Sequence, residues 1–97
     1  MRQIAVYSTN HARARQRQRG IPDELLGLLL RFGQRRRDGH GAWLAFFDKR
    51  ARQRLQRQVD DKTFARWESR LGVYAVLSPD AVVLTVGQRL MRLYRAH

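Results

Sequence analysis

The sequence predicts an α+β fold, in which an N-terminal helix pair packs on a small antiparallel β-sheet and a further helical pair precedes a C-terminal β-meander. Apolar residues recur at helical spacing in the first third of the chain, whereas extended stretches bounded by turn residues dominate the last quarter. The chain has 97 residues, so we expect residues 1–97 to form a single domain. A domain of this size buries a modest share of its surface, which is compatible with a homodimer.

The first helix is predicted over residues 11–19, because Ala, Arg and Gln all favour helix. Residues 3–7 resemble a short edge strand, and residues 8–10 offer three successive N-cap candidates. Gly20 is placed to end the helix in the left-handed conformation.

The second helix is the predicted central core helix. Pro22 suits its first turn, and the carboxylates of Asp23 and Glu24 stabilise its positive end. Gly33 is predicted to end it. The residues at core-facing spacing are Leu25, Leu28, Leu29 and Phe32.

The middle of the chain is predicted to form a strand or hairpin followed by two helices. Residues 34–38 and 42–47 are extended, the second stretch aromatic and buried, and residues 38–41 form a turn between them. Asp48 is predicted to cap a third, basic surface helix, and Asp60 or Asp61 begins a fourth. Their inward residues are predicted to be Ala51, Leu55, Val59, Phe64, Trp67 and Leu71.

The last quarter is predicted to be β. Residues 73–77 and 81–86 form strands that a turn at residues 78–80 separates, and residues 90–95 form a final strand. Alternation divides the side chains around the second of these strands between two faces. The predicted sets are Val82, Leu84 and Val86 on one face, and Val83, Thr85, Gly87 and Arg89 on the other.

Charge is the dominant compositional feature, with a net charge of +12 and a pI near 11.7. Such a field attracts polyanions, so nucleic acid is the favoured partner, ahead of an acidic protein and of an anionic membrane surface. Arg forks suit phosphate recognition, although the preference for Arg over Lys is also typical of a GC-rich genome.

Several functional classes are disfavoured. The chain has no cysteine, which excludes disulfides and cysteine-ligated metal sites, and its three His residues are scattered, so we expect no metal and no cofactor. No nucleotide-binding or hydrolase motif is present. The N-terminal apolar run is too short for a signal peptide, and residues 25–30 fall far below the roughly 20 apolar residues of a membrane span. We therefore expect a cytoplasmic protein.

The first candidate site is a row on the first predicted helix. His11, Arg15 and Arg19 are four residues apart, so a helix aligns them on one face. An imidazole can move a proton near neutral pH, and guanidinium groups can hold a phosphodiester and stabilise its transition state. The alternative is a solvated helix that is rich in arginine.

The second candidate site is the strand end at Thr85, Gly87 and Arg89. The hydroxyl and the guanidinium group project from the same face, and a glycine between them leaves space for a substrate backbone. The alternative is an ordinary exposed strand edge.

Basic patches complete the predicted surface. They are suited to positioning a phosphate backbone rather than to base recognition. His40, between two glycines, is expected to be a loop residue, and Trp43 or Tyr94 could be exceptions to the core-like spacing of the aromatic residues. The predicted nucleic-acid-binding residues are Arg35, Arg36, Arg37, Lys49, Arg50, Arg54, Arg57 and Arg92.

Two segments carry a resemblance to a known group of bacterial domains. The pattern His11-x3-Arg15-x3-Arg19-Gly20-Ile21, with the closing Val-Leu-Thr-Val-Gly-Gln-Arg of residues 83–89, resembles small domains similar in layout to BrnT and RelE-like toxins. They are also similar in layout to the wider barnase–colicin–RelE ribonuclease fold. The likeness covers both ends of the chain, and residues 49–71 form a helical pair outside it.

The resemblance implies a metal-independent endoribonuclease of the toxin type. His11 would act as general acid or base, Arg15, Arg19 and Arg89 would bind the scissile phosphate, and Thr85 would donate a hydrogen bond to it. An acidic, antitoxin-like protein partner is implied as well.

Three hypotheses follow from the sequence. The first is an RNA-cleaving enzyme, and the second is a non-catalytic RNA- or DNA-binding accessory protein whose affinity falls with salt. The third is a basic module that binds an acidic protein.

Overall fold

A computed structural model describes residues 7–89, and these residues form an α+β domain as the sequence predicts. The predicted strands at residues 3–7 and 90–95 lie outside the described residues, apart from Tyr7. The elements in chain order are α1 (Asn10–Gln18), α2 (Asp23–Phe32), β1 (Gln34–Arg37), β2 (Trp43–Phe46), α3 (Lys49–Gln58), α4 (Asp61–Trp67) with a 3₁₀ turn (Glu68–Arg70), β3 (Val73–Leu77) and β4 (Val83–Gln88).

The four strands form one antiparallel sheet in the order β1-β2-β3-β4, and α3 and α4 are inserted between β2 and β3. The segment before α1 pairs with the start of β4 in the parallel direction. Thr9 donates its backbone N–H to the Val83 carbonyl, and Val83 donates to the carbonyl of Tyr7. This pairing fixes where α1 begins relative to β4.

Capping residues set the helix boundaries. Of the three candidates before α1, Thr9 is the N-cap, and its hydroxyl accepts the N–H of Ala12. Gly20, with φ of 65°, ends the helix in the left-handed region as predicted, and its N–H donates to the Arg17 carbonyl while Ile21 N–H donates to that of Gln16. These two bonds form a Schellman motif, which satisfies the last carbonyls of α1.

The remaining helices begin close to the predicted positions. Pro22 is the N-cap of α2 rather than a residue of its first turn. Asp48 caps α3, as predicted, and accepts the N–H of Ala51. Of the two candidates for α4, Asp60 is the cap, and it accepts the N–H of Thr63.

The helices pack on one face of the sheet, which we call the core face. Buried residues of β2, β3 and β4 (Ala45, Val73, Ala75, Leu77, Val83 and Val86) join buried residues of all four helices in one apolar cluster. The predicted inward residues Phe64, Trp67 and Leu71 belong to it as well. Within residues 7–89, no helix covers the opposite face, which we call the open face.

A β-bulge near the start of β4 overturns one detail of the predicted alternation. Leu77 pairs with Val83 while Val76 pairs with Thr85, so Leu84 is an extra residue in β4. Val83 and Val86 are therefore both buried in the core, whereas simple alternation assigned them to opposite faces.

Candidate nucleic-acid interface

Three of the eight acidic residues are occupied in local structure. Asp48 and Asp60 cap helices, and Asp38 accepts the backbone N–H groups of His40 and Ala42 in the hairpin turn. These bonds favour the charged carboxylate, chiefly the one from His40, and hold the pKa of Asp38 below its ordinary value. Such carboxylates stabilise turns and helix ends rather than neutralising distant arginines.

Two arginines form ion pairs within the described part of the chain. Arg52 pairs with Glu68 at 3.1 Å, and Arg66 pairs with Glu24 at 3.3 Å. Glu24 also accepts the indole N–H of Trp67 at 3.1 Å, which ties α2 to α4. Each pair includes one residue of α4 or of the 3₁₀ turn that follows it.

The α1 surface carries the first predicted site. The helix packs against the core through Ala12, which is 1% exposed, while His11 and Arg19 are exposed and Arg15 is half-buried. No acidic residue occurs in α1. The exposed surface of the helix is basic and also includes Arg13 and Arg17, and the Asp23 carboxylate that follows the helix accepts the side-chain amide of Gln16 at 2.6 Å.

Helix α1 runs beside β4 from end to end. At its start, the Thr9 hydroxyl donates to the Leu84 carbonyl at 3.3 Å, and after its end the Gln88 amide donates to the Arg19 carbonyl at 3.1 Å. Arg19 and Arg89, both predicted to bind the scissile phosphate, consequently lie at the same end of the sheet. His11 lies near the opposite end.

His11 and Thr85, two of the predicted catalytic residues, belong to backbone segments that place them on opposite sides of β4. Thr85 pairs with Val76 and lies on the open face, whereas α1 packs on the core side through Ala12. Among residues 7–89, Thr9 and Gln88 supply the side-chain hydrogen bonds between α1 and the β4 strand. The catalytic role of His11 stays a prediction.

Gly87 does not leave the space that the sequence predicts. It lies opposite Tyr74, and a Cβ atom at Gly87 would be only 2.7 Å from both Cε1 and Oη of the Tyr74 ring. The ring itself occupies the place that a substrate backbone would take. Glycine is required at this position because Tyr74 lies over it.

The arginines of β1 are all exposed, but they have different neighbours. Arg35 donates to the Leu30 carbonyl at 3.0 Å. Arg37 stacks over Trp43, with its Cζ 5.0 Å from the ring centroid, and Arg36 stacks over Phe46 at 5.1 Å. Trp43 packs against the core cluster, so it is not an isolated stacking platform.

Helix α3 contributes a second basic surface. Lys49, Arg50 and Arg57 are exposed, as a phosphate-contacting role requires. Arg54 is half-buried, and its guanidinium group donates to the Phe32 carbonyl at 2.9 and 3.3 Å. Arg54 therefore ties α3 to α2, in addition to any contact with phosphate. Arg92, the last predicted binding residue, lies outside the described residues, as does Tyr94.

An open depression of about 970 Å³ lies where the start of α3 meets the end of the sheet. Lys49, Arg52, Arg70 and Arg89 line it together with Asp48 and Glu68. The Arg70 guanidinium group donates to the Gly20 carbonyl at 2.6 Å, and the Gln88 side-chain amide donates to the carbonyl of the adjacent Arg19. The fold thus gathers basic residues from three separate parts of the sequence: α3, the 3₁₀ turn and the residue after β4.

Sequence reasoning missed Arg70, Phe46 and Tyr74. Arg70 lies in a 3₁₀ turn that no pattern indicated, and its position depends on the contact with Gly20. The signal for Phe46 was present, because alternation along residues 43–47 puts aromatic side chains on both faces of β2.

Comparison of the chain with protein-family models, with curated proteins and with solved structures gave no match. Residues 7–89 contain no cluster of side chains suited to hold a metal ion. None of the helices in that range is long and apolar enough to cross a membrane.

Proposed function

We propose that this chain is a cytoplasmic nucleic-acid-binding protein, with RNA as the favoured ligand. One observation carries the proposal: Asp48 and Asp60 cap helices, Asp38 holds a turn, and Glu24 and Glu68 form two ion pairs, while three of the four arginines of α1 and all three of β1 are exposed. These exposed arginines present positive charge to solvent in a chain whose net charge is +12.

Binding of this kind is driven by release of counterions from the phosphate backbone. Each phosphate that the protein neutralises adds about 0.7 to the salt slope of binding for a single strand. We expect micromolar or tighter retardation of RNA at low salt, with an affinity that falls steeply as sodium chloride is added. A purified protein that retards no RNA or DNA would contradict the proposal.

A metal-independent endoribonuclease is the second candidate function, and the common location of Arg19 and Arg89 at the end of the sheet favours it. In this reaction a base removes the proton of a ribose 2′-hydroxyl, and the oxygen attacks phosphorus. The bond to the 5′-oxygen breaks, that oxygen takes a proton, and a 2′,3′-cyclic phosphate remains. The sequence-based assignment has His11 moving the proton, Arg15, Arg19 and Arg89 holding the phosphate, and Thr85 donating to it. Of these groups Arg19 and Arg89 lie at the same end of the sheet, whereas His11 lies near the opposite end and Thr85 lies on the other side of β4 from α1, so a His11 variant decides the assignment.

The test is incubation of labelled single-stranded RNA with purified protein in EDTA, beside a His11→Ala variant and a His40→Ala control. Both His residues are exposed, so each substitution removes one imidazole at little structural cost. Cleavage by wild type and His40→Ala, but not by His11→Ala, would establish the enzyme. Retardation of RNA by all three without cleavage would leave a binding protein.

The remaining alternative is a module that binds an acidic, antitoxin-like protein. It predicts a preparation with no raised absorbance at 260 nm and no retardation of nucleic acid. The same exposed arginines would then serve a protein surface, and a homodimer would be an independent question for light scattering.

A further inference from the structure

Tyr7 is the one large apolar side chain that is mostly exposed within residues 7–89. Its exposed fraction is 69%, whereas the other large apolar side chains of that range are buried or half-buried. A single exposed aromatic residue is common on protein surfaces, so exposure alone indicates no site. Two further features distinguish Tyr7. Its backbone is held in place, and it precedes α1, a helix in which every charged side chain is basic.

Backbone hydrogen bonds fix the position of Tyr7. Its carbonyl accepts the N–H of Val83 at 2.7 Å, and the Thr9 N–H donates to the Val83 carbonyl at 3.0 Å. Ser8, between them, is the parallel partner of Val83. The Thr9 hydroxyl then accepts the N–H of Ala12 at 3.0 Å and caps α1. Tyr7 is therefore tied both to β4 and to the start of α1.

The register of this pairing explains why the Tyr7 ring is exposed. Residues that pair directly across two strands share a face of the sheet, and Val83 is buried in the core. Ser8 therefore lies on the core face, and alternation places Tyr7 on the opposite side. Within residues 7–89 no helix covers that side, so the ring remains in solvent.

Exposed arginines begin in the first turn of the adjacent helix. Arg13 and Arg17 are both exposed and four residues apart, so they form a row with a spacing of about 6 Å along the axis of α1. Guanidinium groups of this kind bind the phosphates of a nucleic-acid backbone and leave the faces of its bases free. Tyr7 lies three residues before α1 begins, where a base of such a strand can reach it.

A tyrosine ring suits the face of a base. It is flat, its two side-chain torsions cost little entropy to order, and its hydroxyl group is compatible with water when no ligand is bound. Stacking on an aromatic side chain requires a base whose face is accessible. A duplex hides the base faces inside its stack, so the chemistry of Tyr7 favours unpaired bases.

We propose that Tyr7 stacks on a base of single-stranded RNA whose phosphates contact Arg13 and Arg17. The proposal rests on the proposed function for its class of ligand. It adds a base-binding residue, the part of α1 that positions the strand, and a preference for unpaired bases. Because every base has an aromatic face, this contact is tolerant of sequence.

The test compares Tyr7→Leu with Tyr7→Phe on two ligands. Tyr7→Leu removes the ring but keeps an apolar side chain, whereas Tyr7→Phe keeps the ring. The first ligand is a labelled oligouridine of about ten nucleotides. The second is an abasic strand of the same length, which keeps the ribose and phosphate groups but has no bases. Fluorescence anisotropy measures the affinity for each ligand across sodium chloride concentrations.

We expect Tyr7→Leu to weaken oligouridine binding about tenfold with an unchanged salt slope, because stacking is lost and no phosphate contact is. Tyr7→Phe should restore the affinity to within about twofold of wild type. Wild type and Tyr7→Leu should bind the abasic strand alike. The double variant Arg13→Gln/Arg17→Gln should instead weaken the binding of both ligands and lower the salt slope by about 0.7 for each lost phosphate contact.

A second measurement observes the ring directly. Incorporation of fluorotyrosine gives each of the three tyrosines a fluorine NMR signal, and the signal of Tyr7 is identified by its loss in Tyr7→Phe. Oligouridine should shift the Tyr7 signal, and the abasic strand should leave it nearly unchanged. Thermal melting of each variant checks that it is folded.

The failures are distinguishable. A Tyr7→Leu protein that binds oligouridine like wild type, or that loses equal affinity for oligouridine and for the abasic strand, would overturn the stacking role while nucleic-acid binding stands. Absence of wild-type binding to either strand and to an RNA duplex would overturn the proposed function together with the role of Tyr7.

Discussion

Arg36 and Arg37 are adjacent on β1, yet their guanidinium groups stack on rings that belong to different parts of the structure, Arg36 on Phe46 and Arg37 on Trp43. The alternation of the strand separates them, because Phe46 lies on the open face and Trp43 packs against the core. A run of arginines that appears uniform in sequence therefore supplies two surfaces. It follows that charge alone does not define a binding site on this protein.

The basic surface of α1 provides a prediction about salt dependence. The double variant Arg15→Gln/Arg19→Gln should weaken RNA binding and lower the salt slope by about 0.7 for each lost phosphate contact. The matched control is Arg52→Gln/Arg66→Gln, which removes the same charge from arginines that already pair with Glu68 and Glu24. Anisotropy titrations between low and moderate salt measure both slopes. If the two double variants behave alike, net charge and not α1 governs binding.

Two glycines around α2 predict opposite effects of the same substitution. A Cβ atom at Gly33 would lie 2.5 Å from the Leu29 carbonyl oxygen and 3.1 Å from that of Phe46, so Gly33→Ala should destabilise by about 1–3 kcal/mol. Gly27 lies within α2, and nothing lies within 4 Å of its Cβ position. Gly27→Ala should stabilise by about 0.5–1 kcal/mol through better helix propensity. Urea unfolding measures both, and a destabilised Gly27→Ala protein would contradict this account.

The sequence was sufficient for the parts of the fold that local chemistry determines. Local sequence patterns could indicate the helix caps at Thr9, Asp48 and Asp60 and the left-handed Gly20. Each of these features depends on residues that are only a few positions apart. Local patterns could not indicate the bulge at Leu84, because it depends on which residues of β3 pair with β4.

The candidate site was less predictable for a related reason. The contact of Arg36 and Arg89 with Phe46 joins β1, β2 and the residue after β4, and the contact of Arg70 with Gly20 joins two distant turns. Spacing along one element cannot reveal such contacts. The four-residue spacing could place His11 and Arg19 on one helix, but it could not show on which side of β4 that helix packs.

The contact between Gly87 and Tyr74 predicts a coupled pair of substitutions. Gly87→Ala should destabilise by about 1 kcal/mol or more, because its Cβ atom would meet the Tyr74 ring at 2.7 Å. In a Tyr74→Leu background the ring is gone, so the same substitution should cost much less. Urea unfolding of the four proteins in this double-mutant cycle gives the coupling energy. Equal costs in the two backgrounds would show that Gly87 is required for another reason.

The cap of α4 predicts part of the acid unfolding of the protein. Hydrogen bonds from the Thr63 hydroxyl and then from its backbone N–H hold the pKa of Asp60 below its ordinary value. The folded protein therefore binds fewer protons at Asp60 than the unfolded chain does, and stability rises with pH. This contribution is complete above about pH 4, the ordinary value for Asp, and is lost as pH falls through the lower folded pKa.

Asp60→Asn isolates this effect, because asparagine also caps helices but does not titrate. We expect the variant to keep most of its stability at neutral pH and to lose stability less steeply than wild type below about pH 4, with the share due to Asp38 remaining. Urea unfolding at a series of pH values measures both the free energy of unfolding at neutral pH and its decrease at acid pH. Asp61→Asn removes the same charge from the first turn of α4 but keeps the cap, so a change seen in Asp60→Asn and not in Asp61→Asn belongs to the cap. An Asp60→Asn curve parallel to wild type at acid pH would mean that the cap does not contribute to acid unfolding.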